Sequence, residues 1–222
     1  MSVANAQYDL ADTPLNAVEG GTSLLVTGPR DAGLDTLVHR LLAGADGEGV
    51  VGITADEADR GFRRTHRRET GRGRRDGMGV VDCCGEASRR ANDETVLAAP
   101  DDLTAINMQF SSLCDELRFD GVERVRSGLF TVSPLCAACD DMRDVYRFVG
   151  NVTSRNRRSD GLFVCAIDPD ADSGDFNNGS SIAEGLSRAF GGRVDLRRDG
   201  RQAQVRVEGL DGQPSGWQGV SL

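Results

Sequence analysis

Residues Gly28 to Thr36, GPRDAGLDT, follow an apolar run and set two glycines, Gly28 and Gly33, with four residues between them. This is the spacing of a phosphate-binding loop, whose backbone N–H groups cradle phosphates, whose following lysine reaches the terminal phosphates, and whose next Ser or Thr hydroxyl holds magnesium. Here the lysine place is Leu34 and the hydroxyl place is Asp35, with Thr36 one position late. The loop keeps its glycines and inverts its charge. Unit charges about 4 Å apart interact by roughly 4 kcal/mol at an effective dielectric near 20. Exchanging attraction for repulsion therefore weakens binding by about 8 kcal/mol, the size of a micromolar affinity. Arg30, inside the loop, is the side chain placed to compensate, and Asp35 the one placed to take a cation. Gly28, Pro29, Arg30, Gly33, Asp35 and Thr36 are the candidate nucleotide contacts of this loop remnant; no cofactor is expected, and weakly held ATP and magnesium are the alternative. The plain alternative is a strand-to-helix turn, with Asp35 favouring the positive helix start by about 0.3 to 1 kcal/mol.

Three other groups of residues invite a chemical reading. Cys136-Ala-Ala-Cys139 opens a helical stretch, where a thiol is expected to acidify, and Cys83-Cys84 ends an apolar run, so four sulfurs are available for zinc or redox work. Neighbouring strand residues point to opposite faces, however, and buried small apolar side chains are the expected role. No metal site is assigned. The segment Arg60 to Gly77 holds eight arginines in 18 residues of an acidic chain. Contacts to about six phosphates would make binding fall with a logarithmic salt slope near −5, and only Phe62 is available for base stacking. A solvated helix and loop is expected in preference to a nucleic-acid surface, with a protein partner between the two. His39 and His66, the only histidines, are far apart in sequence and are expected on helix surfaces.

The elements that must position these residues alternate. Apolar runs Ser23 to Gly28, Gly49 to Ala55, Met78 to Cys84, Gly128 to Ser133 and Gly161 to Asp168 read as strands buried on both faces. Helices are expected over Leu34 to Leu42, Glu57 to Arg68, Leu103 to Leu117, Cys136 to Arg155 and Ile182 to Phe190; in the fourth, Met142, Val145, Tyr146 and Val149 share a face. Residues 192 to 210 alternate around Asp199-Gly200, a hairpin signature. The expectation is an α/β chain with a mostly parallel sheet, helices on both faces and a C-terminal antiparallel hairpin. One domain is expected: residues 1–20 as an N-terminal extension, 21–191 as the core, 192–210 as the hairpin and 211–222 as a tail. The 222 residues carry a net charge of −9, and all 26 basic residues are arginine. No run is long and apolar enough for a membrane span, and no secretory leader is visible, so a cytoplasmic protein with reduced thiols is expected.

The order of several phrases carries a resemblance: YDL at Tyr8, the glycine loop after GTSLLVTGP, ITAD at Ile53, VVDCCGE, DLTAI at Asp102, GLFTVSPL and YRFV between Gly128 and Val149, DGLFVCAIDPDA at Asp160, and PSGW at Pro214. The chain resembles the KaiC-like branch of the RecA superfamily, and more narrowly its degenerate haloarchaeal type with a lysine-less loop. The acidic, lysine-free composition is similar to that of proteins from salt-loving archaea. The resemblance implies a RecA-like P-loop fold. It also implies ATP and magnesium in active members, which place an Asp at the close of the fourth strand and a water-activating Glu after the second. Here Thr131, Val132 and Ser133 close the fourth run, whereas Asp56 and Glu57 do follow the second, so Glu57 is the catalytic candidate. Asp82 and Asp168 end other strands and are expected to cap a loop or helix. Two functions follow: an inactive KaiC-like regulatory or scaffolding protein that associates with a protein partner or with itself, or an ATP-binding protein or weak ATPase using Arg30 and Asp35. A dinucleotide-dependent oxidoreductase is disfavoured, since Gly28 and Gly33 do not give Gly-x-Gly-x-x-Gly.

Overall fold

The computed structural model describes residues 7–10, 12–71, 77–84, 95–171 and 179–222. A short antiparallel pair, β1 (Gln7–Tyr8) and β2 (Val18–Glu19), precedes the main body. The body runs β3 (Ser23–Thr27), α1 (Leu34–Leu41), β4 (Glu48–Thr54), α2 (Asp59–Thr70), β5 (Met78–Asp82), β6 (Thr95–Leu97), α3 (Leu103–Phe119), β7 (Arg124–Phe130), α4 (Ser133–Ala138) and α5 (Met142–Arg158). It continues through β8 (Leu162–Ile167), α6 (Gly179–Ser187), β9 (Gly192–Asp199), β10 (Gln202–Glu208) and β11 (Gln218–Val220). Among the described residues these strands form one sheet of nine, ordered β11-β10-β9-β3-β8-β7-β4-β5-β6, in which β10 pairs antiparallel with both β9 and β11 and the other pairings are parallel.

Side-chain alternation along the central strands sends successive residues into two different cores. On one face Leu25, Val51, Ile53, Val81, Phe163 and Cys165 pack beneath α3, α4, α5 and α6. On the other Leu24, Val26, Val50, Val80, Val164 and Ala166 pack beneath α1 and α2. The stripe Met142, Val145 and Val149 is buried in the first core, with Tyr146 partly buried beside it. This sandwich is the doubly covered sheet expected from the sequence. The Asp199-Gly200 turn closes a hairpin, with Gly200 at φ 59° and Asp199 opposite Gln202.

Several elements differ from expectation. The helix foreseen over Cys136–Arg155 is two helices, because the chain turns extended at Cys139 and the Asp141 carboxylate accepts from the Arg143 N–H at 2.8 Å, capping a new helix start. The fourth long strand begins at Arg124, earlier than foreseen, because Arg126 is held inside the protein. Residues 211–222 include β11, whose Val220 enters the second core beside Ala203 and Val205.

At the end of the sheet where β4 and β7 begin, a buried polar knot fixes the N-terminal segment. The Arg126 guanidinium, 1% exposed, donates to Glu48 Oε2 at 2.7 Å, to the Leu41 carbonyl at 3.0 Å and to the Asp9 carbonyl at 2.9 Å. Glu48 also pairs with Arg124 at 3.0 Å. Tyr8 lies 5.2 Å beneath Arg126 and donates its hydroxyl to the Asp160 carbonyl at 2.9 Å.

Candidate functional site

The glycine loop lies at the opposite end of the sheet, where β3 stops between β8 and β9 and the chain crosses to α1. Gly28 is required there by contact: a Cβ on it would sit 2.6 Å from the Leu196 carbonyl oxygen. Residues Arg30–Ala32 then form one 3₁₀ turn, with the Ala32 N–H donating to Pro29 O at 3.1 Å and the Gly33 N–H to Arg30 O at 2.9 Å. Gly33 closes the turn in the left-handed region, at φ 99°, where a side chain is strained. Two N–H groups that an anion cradle needs are thus spent within the loop.

Acidic side chains stand beside Arg30. The Arg30 N–H faces Asp168 Oδ2 at 3.4 Å, and the Arg30 guanidinium forms an ion pair with Asp56 from the end of β4. Leu34, in the lysine place, is fully buried in the second core. Asp35 and Thr36 stand in the first turn of α1, partly exposed. Glu57 packs on the helix that follows it. It folds back on the start of α2, its Oε1 3.5 Å from the Thr65 hydroxyl and against Gly61, where a Cβ would come within 2.3 Å of it. Of the sequence-predicted site residues, the fold therefore brings Arg30 to Asp56 and Asp168, and turns Leu34 and Glu57 elsewhere.

The two other strand-end carboxylates act as caps. Asp82 accepts from the Asp59 N–H at 2.9 Å, at the start of α2, and from the Cys84 N–H at 3.0 Å. Asp168 accepts from the Asp170 N–H at 2.9 Å. At the close of β7 the Ser133 hydroxyl is buried without a hydrogen-bond partner among the described residues.

The histidine expectation is overturned. His39 of α1 and His66 of α2 are buried and meet with their Nδ1 atoms 3.2 Å apart, against the rings of Phe62 and Phe130. α1 buries Leu34, Leu37, Val38 and Leu41, α2 buries Asp59 and Phe62, and each histidine falls on the buried face of its helix. Burial lowers His39 to about 3, aided by His66 and Arg68, and lowers His66 to about 4. One neutral imidazole donates to the other. The redox reading fares no better: burial raises Cys136 to about 12, the reverse of an activated thiol. The same cause raises Cys83 and Cys114 to about 12. All six cysteines are free thiols, and no three potential metal ligands cluster among the described residues.

Within the arginine segment, Arg60, Arg64, Arg67 and Arg68 are exposed along α2. Arg63 is instead a strut, donating to Asp59, to the Met78 carbonyl at 2.9 Å and to the Thr95 hydroxyl at 3.2 Å. Residues 72–76 of the segment lie outside the described residues. No described helix is long and apolar enough to cross a membrane.

Sequence reading missed two neighbours of the loop. Asp195 of β9 accepts from the Thr27 hydroxyl at 2.7 Å and from Arg193 and Arg206; burial pushes its carboxyl up, but these hydrogen bonds outweigh it and hold the group below its ordinary value. Leu222 lies against Gly33. Neither carries a motif, since Asp195 reaches the loop through the pairing of β9 with β3, and Leu222 through the further pairing of β10 and β11.

The model of a family of unknown function, DUF7504, matches residues 21–196. A KaiC-like protein from the hyperthermophilic archaeon Pyrococcus horikoshii superposes with a TM-score of 0.64, covering 97% of this chain and 94% of that one at 12% sequence identity. That likeness is one of fold, and it bears out the RecA-like architecture. No curated protein matches the chain.

Proposed function

We propose that this chain, which belongs to the DUF7504 family of unknown function, is a RecA-like domain that has given up ATP hydrolysis and serves as a regulatory or scaffolding protein through association with another protein or with itself. The observation that carries the reading is the Arg30–Asp56 ion pair, with Asp168 at the Arg30 N–H. Carboxylates of the protein itself stand around the loop that the fold uses for phosphate, and they satisfy its cation. A triphosphate with magnesium does not fit this donor set. It would meet Asp56 and Asp168 as repulsive neighbours and find an aliphatic Leu34 buried where a lysine is needed. Glu57, bent onto α2, is poorly placed to activate water for attack at the loop.

A scaffold of this kind keeps the folded core and presents surfaces, which suits the exposed arginine row of α2 and the acidic remainder of the chain. A second reading draws on the 45% exposure of the Arg30 side chain, which leaves the guanidinium free to swing from Asp56 to a phosphate. Phosphate release from ATP by the purified protein tests both. The first reading expects release at the blank rate. Turnover that disappears in Glu57→Gln would establish the second reading and defeat the first.

A further inference from the structure

We propose that the segment Gln218–Leu222 is a strap that holds the glycine loop in its closed turn. The segment reaches the loop from two fixed points. Gln213, before it, exchanges hydrogen bonds with the main chain of Asn16 at 2.9 and 3.1 Å. Trp217 lies 4.0 Å beneath the Arg197 guanidinium. From there β11 pairs with β10, matching Gln218 with Val205, Gly219 with Gln204 and Val220 with Ala203, and sinks Val220 into the core. The register delivers the next two residues to α1. The Ser221 carbonyl accepts from Arg40, whose long side chain leans back toward the start of α1, as helical side chains do. Leu222 then covers Gly33 so closely that its Cβ and Cδ1 would lie 3.0 Å from a Cβ placed there.

The same turn is gripped from its other side. Arg198 of β9 donates Nε to the Asp31 carbonyl at 3.1 Å, with a second bond from its Nη2. The loop is thus held at one carbonyl and at one Cα, both by elements of the C-terminal antiparallel unit. Within the turn the two N–H groups of Ala32 and Gly33 bond back to Pro29 and Arg30. Opening the loop breaks these two bonds and moves Gly33 away from Leu222, so the strap opposes opening through contact with the very residue that must move. Gly33 is bare because its φ requires it, and because the strap occupies the space a side chain would fill.

Amide hydrogen exchange on the full chain tests this without any nucleotide, so its failure is separable from failure of the functional proposal. In Leu222→Gly, exchange at Ala32 and Gly33 is expected to accelerate at least tenfold, while β7 and β8 keep their protection. Unchanged exchange at the two loop amides overturns the strap, as does acceleration spread equally over β7 and β8. A second arm uses Gly33→Ala, which combines backbone strain with a clash against Leu222. Its fold-increase in loop exchange is expected to be larger in the parent chain than in the Leu222→Gly background, because the clash is then gone. Equal increases in both backgrounds would overturn the proposal.

Discussion

The two ends of the parallel sheet use the same chemistry, an arginine against a carboxylate, to opposite effect. Where β4 and β7 begin, Arg126 and Glu48 are each 1% exposed in their side chains, and the guanidinium spends its donors on Glu48, Leu41 and Asp9. At the glycine loop, Arg30 and Asp56 are 45% and 21% exposed, and the pair ties one loop to another. A buried pair whose guanidinium bonds through all three nitrogens is structural, since its loss strands a charge away from water. An exposed pair costs little to break, so what it does must be sought in what it keeps out. The difference assigns stability to one end of the sheet and leaves the other as the candidate functional site.

The largest effect that would sharpen this contrast is expected at the buried end. Arg126→Ala leaves Glu48 with the half-buried Arg124 and the Ala45 N–H, and should lower unfolding free energy by about 3 to 5 kcal/mol in a denaturant titration. A loss below about 1 kcal/mol would erase the distinction between the two ends.

Acid should act next, through the histidine pair between α1 and α2. Both imidazoles have folded-state values below the unfolded value near 6.5, so the unfolded chain binds more protons below that pH and stability falls as pH drops from 6.5 toward 3 or 4. At pH 5 each buried imidazole should cost about 2 kcal/mol. The doubly substituted His39→Phe, His66→Leu chain should lose the part of the pH 5 to 7 slope that these groups contribute. A slope unchanged by the substitution would contradict the buried neutral pair.

The smallest effect is expected at the loop, where Arg30→Ala should change unfolding free energy by less than about 1 kcal/mol, as exposed ion pairs do. A loss as large as that of Arg126→Ala would make the Arg30–Asp56 pair a structural element and undo the comparison.

What was legible in the sequence follows the same division. Continuous apolar runs gave the central strands because burial on both faces leaves no room for polar alternation, and the Asp-Gly pair located the hairpin turn. The altered charge of the loop could be read residue by residue, since glycine spacing is local. The polar knot could not. Arg124 and Arg126 lie before the strand expected from Gly128 until the fold supplies Glu48 from a strand paired beside them. His39 and His66 stand 27 residues apart, and only the packing of α1 on α2 brings them together. The break between α4 and α5 rests on the Asp141 cap, which Cys136-Ala-Ala-Cys139 obscured by inviting a reading as a redox motif. Leu222 had no local signal at all, because its neighbour Gly33 is reached through three strand pairings.

The most direct test is a calorimetric titration of the purified chain with ATP and magnesium, carried out in parallel on Arg30→Ala. The proposal of a loop filled by its own carboxylates predicts no saturable heat below roughly 1 mM nucleotide, in either chain. Binding tighter than about 100 μM in the parent, lost in Arg30→Ala, would contradict it and show that the guanidinium leaves Asp56 for phosphate.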